Sequence, residues 1–140
     1  MIIPFPSTSW STRAASPGVV GRGPSAVKGQ PGWLLQRLGC TVLDEWAHGV
    51  SYGRDGFYIV LESGPDVLPG RHQRCAAGMN HLALSVSAAE FDQVTEDALK
   101  HGFTLLFADR HPFAGGSEHS AAYLEDAAGF EVELVAQDPQ

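Results

Sequence analysis

Apolar and polar positions alternate with two different periods along this chain. Residues 57–62, FYIVLE, are rich in aromatic and β-branched side chains and predict a strand. In residues 79–86, Leu82, Leu84 and Val86 alternate with His81, Ala83 and Ser85, which predicts a strand with two chemically different faces. The period then becomes helical. Phe91, Val94, Ala98 and Leu99 make a buried stripe over Ala88 to about His101, Ser87 and Glu90 have the spacing of a capping box, and Gly102 closes the element. Strands are predicted at 103–108, 119–125 and 130–136, joined by a loop at 109–118 and a turn at 126–129. In the last strand Phe130, Val132, Leu134 and Ala136 share one face, and Glu131, Glu133 and Val135 the other.

Upstream, Trp33 to Leu38 fits the last turns of a helix, with Gly39 as its C-terminal stop. Cys40–Trp46 and His48–Gly53 read as strands around a turn region at 47–49, and Arg54-Asp55-Gly56 as a tight turn. An internal repeat then emerges. LGCTVL at Leu38–Leu43 lines up with HGFTLL at His101–Leu106, and GFYIVLE at Gly56–Glu62 with GFEVELV at Gly129–Val135. Two copies of one βαβββ unit account for this. The first copy's opening strand and most of its helix are not recognisable. The expected division is an irregular segment at 1–32, the remainder of the first unit at 33–62, a linker at 63–78 and the second unit at 79–136.

Charge sharpens the boundary. The 140 residues carry a formal net charge of −7, which argues against nucleic acid and anionic membranes as partners. No acid precedes Asp44, whereas 16 acids and 5 bases follow from there. Residues 1–32 hold five Pro, five Gly and five Ser without a sustained period. They contain no His. Two readings of that segment stand: loss of an ancestral strand and helix, or a shifted reading frame, which the other two frames of the coding DNA would test. Two cysteines, Cys40 and Cys75, make neither a disulfide framework nor a CxxC site, so free thiols in a cytoplasmic protein are expected. No apolar run reaches membrane-spanning length.

Strand phase places His81, Glu133 and Glu62 on sheet faces turned away from the helices. One imidazole and two carboxylates suit Fe, Mn, Ni or Zn as divalent ions; a plain polar sheet face is the alternative. The loop DRHPFAGGSEH, Asp109–His119, carries His111 and His119, either of which could serve as a base or a substrate contact.

The βαβββ order read twice, NHLALSV opening the second unit and EDAAGFEVELV closing it, resembles the vicinal oxygen chelate superfamily, which includes glyoxalase I, fosfomycin and bleomycin resistance proteins and extradiol dioxygenases. WLLQRLG, DEWAHGVSY and DRHPFAGG further resemble uncharacterised bacterial glyoxalase-like proteins. The resemblance covers about Trp33 to Ala136. It implies an α+β fold with paired βαβββ modules forming a cup. It implies metal ligands in the first and last strands of each module, matched here by His81 and Glu133. In the first module the repeat puts Val60, not Glu62, at the last-strand position. Two functions follow as expectations. One is a metal-dependent lyase, isomerase or dioxygenase acting on a small molecule with adjacent oxygens, with Glu133, His119 and His111 as catalytic candidates and His81, Glu133 and Glu62 as metal candidates. The other is a metal-free protein that binds a small molecule such as an antibiotic. An incomplete first sheet leaves an open edge, so a homodimer is expected.

Overall fold

The structure is a computed structural model that describes Val19–Val20 and residues 28–138. Apart from Val19–Val20 and 28–32, the segment read as irregular lies outside the described residues. The chain is α+β and divides into two compact units between Gly70 and Arg71. The first holds β1 (Val19–Val20), α1 (Gln30–Arg37), β2 (Thr41–Trp46), β3 (Gly49–Arg54) and β4 (Phe57–Glu62). The second holds β5 (His81–Ser87), α2 (Phe91–Lys100), β6 (Thr104–Leu106), β7 (Ala121–Glu125) and β8 (Glu131–Gln137). Each unit is βαβββ. The sheet orders β1-β4-β3-β2 and β5-β8-β7-β6 are the same topology. The opening strand runs parallel to the closing strand, and the other neighbours are antiparallel.

The opening strand that the pattern did not reveal in the first unit is β1. Val19 and Val20 pair with Leu61 and Glu62. The helix also begins earlier than the apolar stripe suggested, at Gln30. Pro31 fits the first turn, where a backbone N–H has no intrahelical partner to lose. Leu34 and Leu35 of α1 are buried, as are Val50 and Tyr52 of β3 and Ile59 and Leu61 of β4.

In the second unit α2 starts at Phe91, with Glu90 at the N-cap, instead of at Ala88. Ser87 ends β5, and the Ala88 amide still bonds the Gln137 carbonyl of β8 at 2.9 Å, so the helix does not begin there. Its Oγ bonds the Glu90 carboxylate at 2.9 Å across an intervening turn. Phe91, Val94 and Ala98 are buried as the helical period required, together with Leu124 and Leu134 of the sheet, but Leu99, expected in the same stripe, is 40% exposed. Strand β6 stops at Leu106 because Phe107 takes a φ of 54°, which breaks the ladder. From Phe107 the loop advances in three-residue turns. The amides of Arg110, Phe113, Gly116 and His119 each bond the carbonyl three residues back.

Arg71 onward packs on the second unit. The His72 amide bonds the Ala128 carbonyl at 2.8 Å, and its ring stacks on Phe130 with centroids 4.3 Å apart. Gly129 beneath has φ 90°, and a Cβ there would come within 2.6 Å of the His72 carbonyl oxygen. The turn is braced by Asp126, whose Oδ1 accepts from the Phe130 amide at 2.9 Å. This fixes where β8 begins, and so the phase of its carboxylates.

Candidate functional site

Strand register builds the site. In β8, Glu131 and Glu133 project to the same face. Glu133 lies opposite Tyr123 and Glu131 opposite Glu125 across the antiparallel β7 pair. On the parallel side His81 partners Glu131, with Ala83 beside Glu133. His81 therefore reaches Glu133 diagonally. Both carboxylates are buried, so this face is no open solvated surface: Glu131 is 2% exposed and Glu133 5%.

Glu133 is the hub. Its Oε1 lies 2.6 Å from His119 Nε2 and its Oε2 3.1 Å from His81 Nε2. Tyr123 also hydrogen-bonds its carboxylate. Burial alone would push the Glu133 carboxyl up. The hydrogen bonds from His119 and Tyr123 and the nearby imidazoles outweigh burial and hold it below the usual carboxylate range. Tyr123 moves the other way. Burial, then its bond to Glu133, pushes the phenol up to about 12, so it stays a neutral donor.

The imidazoles are set by their second nitrogens. Asn80 Nδ2 donates to the Arg74 carbonyl at 2.9 Å, which turns its Oδ1 to His81 Nδ1 at 2.8 Å. His81 Nδ1 therefore donates to Asn80, so Nε2 is a lone pair on the neutral ring and donates to the ionised Glu133 only when the ring carries a second proton. His119 faces Glu133 through Nε2, which leaves Nδ1 as the free acceptor of its neutral ring. Gly115 closes over the pair. A Cβ there would lie 2.6 Å from His119 Cδ2 and 2.7 Å from the Tyr123 hydroxyl.

Arg74 Nη1 lies 3.2 Å from Glu131 Oε2, an ion pair without hydrogen-bond geometry. Burial pushes the Glu131 carboxyl up against the opposing pull of Arg74. Arg71 pairs with Glu125 at 2.6 Å.

No family profile matches the chain. It is 41% identical to the uncharacterised Bacillus subtilis protein YqjT over 107 residues, 75% of this chain and 84% of that protein. Among solved structures, a candidate glyoxalase from Bacillus halodurans is 32% identical, with a TM-score of 0.78 over 86% of this chain and 92% of that one. The fosfomycin resistance protein FosX of Listeria monocytogenes, solved with Mn(II) and 1S,2S-dihydroxypropylphosphonic acid, shares the fold at 16% identity, with a TM-score of 0.57 over 85% of both chains. The chain belongs to the vicinal oxygen chelate superfamily.

Membership brings in divalent metal as a cofactor of at least one relative of this fold. Two donors here have the right chemistry: the His81 Nε2 lone pair and the Glu133 carboxylate. His81 even has the oriented N–H partner, Asn80, that metal-ligating imidazoles usually carry. A complete set is not formed. Among the described residues no group of three His, Cys, Asp or Glu is arranged to hold a metal ion. The site as folded is a hydrogen-bonded cluster and not a finished metal centre.

Of the residues singled out from the sequence, His81, His119 and Glu133 come together. Glu62 lies at the end of β4 in the first unit, exposed. His111 stacks on Phe91 at 5.9 Å, its Nδ1 buried without a hydrogen-bond partner, and no described contact ties it to Glu133. Sequence reasoning passed over Tyr123, Asn80, Arg74 and Gly115. Tyr123 was legible, since it shares strand phase with His119. Arg74 and Gly115 sit in irregular segments, where no period reports direction.

Proposed function

We propose that this chain is a glyoxalase-type enzyme that acts on a small molecule with adjacent oxygens by proton transfer at His119 and Glu133. The observation that carries this is the buried Glu133 carboxylate, kept ionised and bonded to the 32%-exposed His119 ring. Such a carboxylate holds the imidazole in one tautomer and stabilises the imidazolium formed when Nδ1 takes a proton. The proton leaves a carbon beside a carbonyl, or a hydroxyl. Tyr123 keeps Glu133 in place, and Gly115 keeps the rings accessible to a ligand. Lyase or isomerase chemistry fits this set. The test is turnover of 2-hydroxycarbonyl compounds in deuterated water by wild-type protein and by His119→Gln. Solvent deuterium entering the product, and its loss in the variant, supports the reading; equal rates for both proteins overturn it.

A second reading is favoured by the orientation of His81. With Nδ1 committed to Asn80, the Nε2 lone pair of the neutral ring would serve, with Glu133, as a ligand to Fe, Mn, Ni or Zn in a metal-dependent lyase, isomerase or dioxygenase. Metal analysis of purified protein supplied with each ion, against His81→Ala, separates the two. Stoichiometric metal that disappears in the variant supports the second reading. The free thiols Cys40 and Cys75 support a cytoplasmic location. The exposed edge strand β2, with Val42, Leu43 and Trp46 uncovered, supports a homodimer, which light scattering would test.

A further inference from the structure

Phe107 occupies an unusual position for a bulky residue. Its φ of 54° lies in the left-handed region, a strained placement that surrounding structure must enforce. The strain puts its ring edge-on to Tyr123, with centroids 5.6 Å apart, next to the Glu133 cluster. Two guanidinium groups then gather on the same ring. The central carbon of Arg74 lies 5.4 Å from its centroid and that of Arg110 5.0 Å. Cations attracted to an aromatic face within about 6 Å are held there by the ring quadrupole.

The two cations are balanced differently. Arg74 answers the buried Glu131. Among the described residues the acid paired with Arg110 is Asp109, 3.9 Å away, with both side chains more than half exposed. Such an exposed pair offers little competition to a ligand. The geometry points to an anion-binding subsite formed by Arg110 and Arg74 on Phe107, so that the substrate is a small anion, a carboxylate or phosphonate, whose adjacent oxygens extend toward His119 and Glu133. Arginine suits this task because its planar fork bonds both oxygens of such a group. This inference rests on the proton-transfer reading of the same site and adds the charge of the substrate to it.

The test uses glycolate, which has a carboxylate and an adjacent hydroxyl, and ethylene glycol, its neutral counterpart. Each is titrated into the full chain at constant ionic strength while the ring signals of Phe107, His119 and Tyr123 and the arginine Nε–H signals are followed by NMR. Glycolate should shift the Phe107 and arginine signals saturably and bind at least about tenfold more tightly than ethylene glycol. Arg110→Gln, at an exposed position, should weaken glycolate by about tenfold and leave ethylene glycol unchanged. The double variant Arg74→Gln/Glu131→Gln removes the other cation together with its buried partner and should weaken glycolate further. Equal binding of the two probes, or full glycolate affinity in Arg110→Gln, overturns the anion subsite. If both probes still perturb His119 and Tyr123 alike, the proton-transfer reading survives that failure. If neither perturbs them, both readings fall.

Discussion

The two βαβββ units share a topology and differ in what their inner strands carry. Across β7 and β8, Tyr123 faces Glu133 and Glu125 faces Glu131. Across β3 and β4, the matching pairs are Ser51 with Val60 and Gly53 with Tyr58. One backbone plan thus supports a buried carboxylate network in one unit and a set with no charge in the other. Among the described residues, β5 pairs with β8 over seven positions and β1 with β4 over two. The lesson is that the repeat conserves register, while the chemistry rests on side chains that register merely aligns. A charge at Glu133 is tolerable because His119 and Tyr123 donate to it and His81 lies beside it; the matching position of the first unit is Val60, which brings no charge to satisfy.

Core deletions should have the largest effect and test whether the units are equally built. Leu61 and Leu134 are both essentially inaccessible. Alanine at either should cost about 2–5 kcal/mol in urea unfolding. A loss confined to Leu134→Ala would mean that the first unit adds little to cooperative folding.

Next is the network itself. Glu133→Leu removes the acceptor of His119 and Tyr123 and should destabilise by about 1–3 kcal/mol. Val60→Thr, at the matching half-buried position of the first unit, should change stability by under about 1 kcal/mol. Equal costs in the two would erase the contrast between the faces.

The neighbouring carboxylates should titrate in opposite senses. Glu133 is held below its ordinary value, so its stabilisation is present above the unfolded carboxylate range and is lost as pH falls through the folded value. Glu131 is pushed above its ordinary value, so its stabilisation is present below the unfolded value and is lost as pH rises through the folded one. Denaturant unfolding of Glu133→Gln and Glu131→Gln from pH 3 to 7 should therefore give difference curves of opposite slope. Parallel curves would show that the two environments do not differ as described.

The most local effect concerns glycines. Gly115→Ala should displace His119 and Tyr123, lowering turnover and moving their NMR signals while costing only about 1 kcal/mol. Gly53→Ala in the first unit meets Leu43 Cδ1 at 2.4 Å, and should cost stability without touching those signals.

Much of the fold was legible in the chain. FYIVLE became β4 with its predicted bounds, and the stripe of Phe91, Val94 and Ala98 is the buried face of α2. The alternation in 130–136 placed Glu131 and Glu133 on one face because a strand's side-chain period is fixed by backbone geometry. Local pattern failed where ends are set by contacts. Ser87 lost its capping role to the continuing strand, and two valines between turn-forming residues gave no period to read as β1.

What the sequence by itself determined is periodicity: which residues lie in strands, which share a face, and that one unit recurs. What only the tertiary structure decided is meeting. His81, His119 and Glu133 come from three separate segments, and the 3.1 Å and 2.6 Å contacts between them depend on pairing across the sheet. Arg74, Arg110 and Phe107 gather from a linker and a loop. Those positions follow from chain closure and packing, which no run of neighbouring residues encodes.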